Sequence, residues 1–412
     1  MAETFPFMQR PFVLFLLLFQ LQFVLAQQFD ILIKGGHVID PGNNINGILD
    51  VAVSHGKIAG IAKSIDEKKA REVIDARGML VVPGLIDIHT HDFYGPDPER
   101  HFCNGSESLL PDSFAFRTGI TTVVDAGSSG WKDFPDFKKK IIDSSKTRVL
   151  AFLNIVGAGM RGRKFEQDTG DMDGKKTAIM VQQYPDYIVG IKLAHYKGTE
   201  WKPLEEAIHA GSLANVPLMI DFGDNKSPLS LEELLLKRMR PGDIFTHCFA
   251  ELKGREYIVD TGSKKIKTYV WESREKGILF DVGYGEISFS FSQAKPAIDS
   301  AFYPNSISSD MHSVRKNKMK DLPEIMSEFL ALGINIREII KRVTWNPAIE
   351  INHKELGNLS KGAIADIAIL HVRKKSIVFY DHTGYKLDGS KSFECEMTIK
   401  SGKIVYNKRN SL

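Results

Sequence analysis

Six side chains able to bind a cation or move a proton lie at or near the ends of otherwise apolar runs. The stretch VPGLIDIHTH carries His89 and His91. Two residues apart on a strand, they point to one face, and two imidazoles converging at a strand end make half of a metal site. YIVGIKLAH places Lys192 in an apolar run. An unpaired ammonium is costly there, so it needs a carboxylate partner or a chemical change that removes its charge. VPLMIDFG carries Asp221, DIFTHCFA carries His247 and NSISSDMH carries Asp310. A single residue of this kind is more often a satisfied core group than a ligand. Six of them on five strands point to a metal site. Histidine and carboxylate without thiolate suit Zn2+, with Mn2+ or Fe2+ as alternatives.

Several neighbours carry less weight. His195 lies three residues past Lys192. On a continuing strand it would face away from Lys192, so it is expected in the following loop, as a substrate contact or a bystander. His312 lies two past Asp310, on the same side if the strand continues. Asp125 in VVDAGSSG would either orient a ligand or cap its loop, and Cys248 should point into the core. Arg161 and Arg163 could bind a substrate carboxylate, although a basic loop is usually just solvated.

The elements that must position these groups show in the spacing of the apolar runs. Runs rich in Val, Ile, Leu and Phe begin near Leu85, Thr121, Val149, Ile188, Val216, Asp243, Ile278 and Asn305, at intervals of 27 to 39 residues. Each has the character of a strand buried on both faces. Helical patterns such as PLEEAIHAGSLAN and SLEELLLKRM lie between them. Eight strands alternating with helices predict an α/β fold, a (β/α)8 barrel over residues 84–355. An open doubly wound sheet is the rival, weakened because no G-x-G-x-x-G follows the first strand. Residues 27–83 and 356–412 read instead as alternating strands broken at Gly, Pro and Asn. They predict a small β-sandwich domain built from both ends of the chain.

Composition sets the outer limits. The 412 residues carry 54 Lys+Arg against 51 Asp+Glu, a net +3, which is not the balance of a nucleic-acid binder. Three cysteines make a disulfide framework improbable and a Cys-rich zinc site unavailable, while one disulfide stays allowed. Residues 1–26 place Arg10 before an apolar run that ends in Val24 and Ala26. This is the pattern of a signal peptide cleaved before Gln27, the rival being an uncleaved anchor. The expectation is a secreted or periplasmic protein, free of the membrane after cleavage, with homo-oligomerisation left open.

With these residues on view, the chain resembles the amidohydrolase superfamily of metal-dependent hydrolases. PGLIDIHTH matches its first-strand motif, and the terminal strands match its small β-sandwich. GITTVVDAGSSG, VGIKLAHY, DIFTHCFAE, FDVGYG, SISSDMH and TWNPA resemble its dihydroorotase-like amidohydrolase/deacetylase branch. The likeness runs from Phe29 to about Tyr406. It implies that His89, His91 and Asp310 hold the more buried metal. It implies that Lys192, carboxylated by CO2 to a carbamate, bridges two metals, and that His247 ligates the second. A water or hydroxide between the metals would be the nucleophile, with Asp310 as general base and then acid. Two departures follow from the same likeness. Asp221 stands where the family usually has a histidine, leaving either two Zn2+ ions with Asp221 as a ligand or one tight metal and a weak second position. Tyr284 stands where the branch typically has histidine, as a substrate contact, an oxyanion donor or a packing residue.

The resemblance implies a metal-dependent hydrolase of a non-peptide C–N bond, most directly a deacetylase of N-acyl amino-acid-like amides or a related ester. The alternatives are a cyclic amidase of the dihydroorotase or hydantoinase kind and an exported binding protein without catalysis.

Overall fold

The computed structural model describes residues 1–3, 27–313 and 319–410. The expected signal peptide falls on residues 4–26, outside the described residues. The apolar runs form seven parallel strands: Leu85–Thr90 (β1), Ile120–Gly130 (β2), Arg148–Asn154 (β3), Ile188–Tyr196 (β4), Leu218–Phe222 (β5), Ile244–Phe245 (β6) and Leu279–Phe280 (β7). They are neighbours in chain order within one sheet. Every residue of β1 and β2 is buried, as strands covered on both faces must be.

The eighth expected strand takes a different form. Residues near Asn305 do not form a regular strand. Ser306 bridges Asp281 beyond β7, and Met311 bridges Thr90 at the end of β1, both in parallel. This segment therefore reaches both edges of the curled sheet and carries Asp310 between them. Backbone bonds tie it to both sides, the Val282 and Tyr284 amides donating to the Ser306 and Ser308 carbonyls and the His91 amide to Met311, and side chains add to them. The Ser306 and Ser308 hydroxyls donate to Asp281, and the Ser309 hydroxyl and amide donate to Asp87.

Helices on the outside show the expected periodicity. Lys202–Ala214 has Pro203 in its first turn, buries Leu204, Ala207, Ala210 and Gly211, and ends at Asn215 with φ 55°. Leu322–Ala331 is capped by Asp321, whose side chain accepts from the Glu324 amide, and it buries Ile325, Met326 and Phe329. Inside the curl, Ile86, Ile88, Val124, Phe152, Val189 and Met219 form an apolar cluster with Ala348, Ile351 and Leu356.

The strands from both ends of the chain join in a single hydrogen-bonded sheet of eight, where the pattern predicts a sandwich. Leu80–Pro83 pairs antiparallel with the start of Ile367–Tyr380, which stitches the two ends together. The Ser327 hydroxyl of the helix Leu322–Ala331 accepts from the Phe393 amide at 2.8 Å, tying this sheet to the helical layer. Cys103, Cys248 and Cys395 are all buried free thiols.

One buried acid gives a stability prediction. Glu350, in the helix Trp345–Glu350, is buried, and neither carboxylate oxygen has a hydrogen-bond partner among the described residues. Burial, and then the charge of Asp281, push its pKa up to about 8 from an ordinary 4.5. Between those values the folded chain keeps a proton that the unfolded chain has released, so stability falls as pH rises through this window. The expected loss is about 2–4 kcal/mol from pH 4.5 to 8. Glu350→Gln should raise Tm at pH 8 by ~3–8 °C and leave it little changed at pH 5. Equal shifts at both pH values in scanning calorimetry would contradict this assignment.

Candidate active site

The side chains expected to do chemistry converge where the parallel strands end, on the wall of a cavity of about 1030 Å3. His89 and His91 leave β1 with ring centroids 5.8 Å apart. Asp310 meets both: its Oδ1 is 3.2 Å from His91 Nε2 and 3.5 Å from His89 Nε2. One ligand atom from each of these three residues lies within 4.8 Å of the others, a spacing that one metal ion can bridge.

Hydrogen bonds settle which nitrogen of each ring faces inward. The Thr246 hydroxyl gives its proton to Asp281 at 2.7 Å, so its oxygen accepts the Nδ1–H of His89 at 2.9 Å. That fixes the lone pair of His89 on Nε2, toward Asp310. His247 donates Nδ1–H to the Gly283 carbonyl at 2.6 Å, which leaves its Nε2 lone pair facing the cavity. His91 Nδ1 meets the Ser128 hydroxyl at 3.0 Å. Outer partners of this kind set the tautomer and aim of metal-binding imidazoles. Burial pushes the pKa of His89 well down and lowers that of His247, so both rings are neutral, the form that binds metal.

The backbone is bent to make this possible. His195, His247 and Asp310 have φ of 56°, 54° and 52°. Such left-handed non-glycine positions cost about 1–3 kcal/mol each, and they cluster at functional sites. Gly283 is required for the same geometry. A Cβ on it would lie 2.6 Å from Thr246 Oγ1 and 2.7 Å from His247 Nδ1, closer than side chains approach.

Lys192 is fully inside, 1% exposed, on β4. Its Nζ contacts His89 Nε2 at 3.3 Å, an imidazole rather than the carboxylate that a paired core lysine would have. Burial lowers its pKa to about 8.

Asp221, at the end of β5, is held differently from what the sequence suggests. Arg255 Nη2 forms an ion pair with its Oδ1 at 2.6 Å. Its Oδ2 is buried and has no hydrogen-bond partner among the described residues. That oxygen lies 3.5 Å from His247 Nε2 and 3.6 Å from His195 Nε2. Burial alone would raise the carboxyl's pKa, but the Arg255 guanidinium above all, with His195, holds it well below the usual carboxylate range.

The secondary candidates separate cleanly. His195 lies within β4 and not in the following loop. The pairing with β5 shifts between Ala194 and Tyr196, and this bulge swings the His195 side chain to the Lys192 side. Its Nδ1–H meets buried Glu166 at 2.6 Å. His312 lines the cavity and donates Nδ1–H to the Asp310 carbonyl at 2.6 Å. Tyr284 does not line the cavity. Its ring stacks on Phe289 at 4.4 Å and its hydroxyl accepts from Lys320 at 2.6 Å, so it packs, as the blander alternative has it. Asp125 caps its loop, accepting from the Asp92, Gly127 and Ser128 amides, and thereby holds Ser128 against His91. Arg163 lines the cavity, whereas Arg161 lies over the Phe165 ring.

Arg255, Glu166, Thr246, Ser128 and Asp281 were not legible as site residues. Asp281 could have been found, since it ends an apolar run in FDVGYG as Asp221 does in its own. Arg255 could not: AELKGRE resembles any solvated loop.

The donors present fit metal binding. Three imidazoles present Nε2, Asp310 joins two of them, and Asp221 Oδ2 is a buried acceptor without a hydrogen-bond partner among the described residues, facing the third. No protein-family model matches the chain. Among curated relatives, a deacetylase of Brucella anthropi is 31% identical over 338 residues, covering 80% of each chain. A deacetylase of Enterococcus faecalis is 29% identical over 388 residues, covering 92% of this chain and all of the relative. Among solved structures, an adenine deaminase superposes with a TM-score of 0.82 at 29% identity, covering 92% of this chain and all of the other.

Proposed function

This chain belongs to the amidohydrolase superfamily and is a hydrolase of carbon–nitrogen bonds other than peptide bonds, and from that premise we propose that it removes the acyl group from an N-acyl amino-acid-like amide or a related ester. The observation that carries the reading is the inward set of His89, His91, His247 and Asp310 around buried Lys192. The relatives named deacetylase support the reaction type. The cavity lining places Arg163, Lys197 and Lys253 beside Glu107 and Asp224, charges of both signs that suit an amino-acid-like substrate. An exported binding protein without catalysis finds no support.

His89, His91 and Asp310 would hold one divalent ion, and His247, Asp221 and a CO2-derived carbamate on Lys192 would serve a second. The proposed ion is Zn2+, with Mn2+ or Fe2+ as alternatives. Bound there, the metal supplies Lewis acidity that polarises the scissile carbonyl and acidifies water. The protein residues do the rest. Burial brings Lys192 to about 8, so a share of the amine is neutral near physiological pH and can add CO2. Asp310 takes the proton of the attacking water and passes it to the leaving nitrogen. A C–O bond forms, the C–N bond breaks, and a carboxylate and an amine leave. Completion of an eight-stranded barrel by the 306–311 segment, and export through the N-terminal segment, belong to the same proposal.

The test joins metal content to product. The purified protein, prepared with bicarbonate and no added metal, is expected to hold two metals per chain by elemental analysis. It should release acetate from acyclic N-acetyl amino acids. Opening of dihydroorotate or hydantoin rings without a second product, or release of ammonia from adenine, would replace the deacylase reading. Absence of metal together with absence of hydrolysis would overturn it.

A further inference from the structure

We propose that Arg255 is the positioning residue that makes Asp221 a one-oxygen ligand, holding Oδ1 so that Oδ2 is the oxygen left to face His247. The inference rests on the two-metal reading given above. Arg255 approaches Asp221 end-on. Nη2 pairs with Oδ1 at 2.6 Å, while Arg255 Nε is buried and has no hydrogen-bond partner among the described residues. A side-on guanidinium would use both carboxylate oxygens. This one uses a single oxygen and leaves Oδ2 free.

The free oxygen faces atoms that do not satisfy it. His247 has given its only N–H to Gly283, so the Nε2 lying 3.5 Å from Asp221 Oδ2 offers a lone pair. His195 Nδ1 is engaged with Glu166, and its Nε2 stays 3.6 Å from the same oxygen, beyond hydrogen-bond range. Two acceptors facing each other in a dry pocket repel unless a cation lies between them. Asp221 is 2% exposed, so water screens little of its charge. The Arg255 guanidinium holds Oδ1, the other oxygen of the same carboxylate, so Oδ2 stays turned toward His247.

The experiment measures the second metal's affinity on the full chain, by stepwise removal with a chelator and by Co2+ absorption titration. Arg255→Gln is expected to weaken the second metal about 10–100-fold and leave the first unchanged. Arg255→Lys should recover part of that loss. In an Asp221→His background, Arg255→Gln should cost nothing further, because an imidazole has no second oxygen for Arg255 to hold. If the wild type binds two metals and Arg255→Gln changes the second constant by less than about twofold, or weakens both metals equally, the role assigned to Arg255 is wrong and the two-metal reading stands. A wild type that binds only one metal overturns both.

Discussion

Asp310→Asn is expected to lower kcat by about 10²–10⁴-fold, the range for losing a general acid–base. The substitution keeps size and one acceptor oxygen but removes the ability to take a proton. Among the described residues, Asp310 is the one carboxylate that meets both His89 and His91, with Oδ1 at 3.5 and 3.2 Å. Burial would raise its pKa, yet the neighbouring His312 holds it well below the ordinary value, so it enters the reaction ionised and able to accept a proton. Its backbone is fixed from both sides. Ser309 is pinned to Asp87, and the Asp310 carbonyl accepts from His312. None of these contacts depends on the exchanged atom, so Tm should move by no more than a few degrees and most metal should remain. Turnover near the wild-type rate, measured with metal content matched, would remove Asp310 from the chemistry.

Lys192→Ala should cost at least about 10²-fold in kcat, together with the second metal. The sign of the accompanying stability change separates two pictures of this residue. If Lys192 is an unmodified ammonium, its removal relieves a buried charge and the variant should be as stable as the wild type or more so, with metal content unchanged. If it carries a carbamate, removal deletes an anionic ligand shared by two cations. The variant then loses metal, and a short carboxylate such as propionate, added to fill the vacated space, should restore part of both metal and activity. Native mass spectrometry adds a direct reading, since the wild type kept in bicarbonate should be heavier by one CO2 than the same protein stripped at low pH. Full metal content in Lys192→Ala would exclude the carbamate bridge.

Much of this site could be seen in the chain because its residues break a local rule. A histidine, lysine or aspartate closing an apolar β run is costly unless it has work to do, and His89, His91, Lys192, Asp221, His247 and Asp310 are legible as a set, where any one alone would read as a satisfied core group. His195 was misplaced because strand alternation assumes an unbroken register. The bulge after Ala194 cancels that assumption, and a bulge leaves no sure mark on residue types. The sequence leaves Tyr284 open as a substrate contact, an oxyanion donor or a packing residue, and its ring on Phe289 and its hydroxyl at Lys320 are partners that only packing supplies.

By itself, then, the sequence determined which residue types would line a site, on which strands, and that those strands would lie side by side in a parallel sheet. Periodicity and burial cost are local properties, and they are written in consecutive residues. Only the tertiary structure decided how the ligands are oriented. Thr246, Gly283 and Ser128 choose the tautomer or aim of each imidazole, and Arg255 chooses which oxygen of Asp221 is left free. Those choices are hydrogen bonds between residues far apart in the chain: His89 to Thr246 spans 157 positions. No local pattern encodes a partner at that distance, because the partner's identity matters only after folding has brought the two strands together.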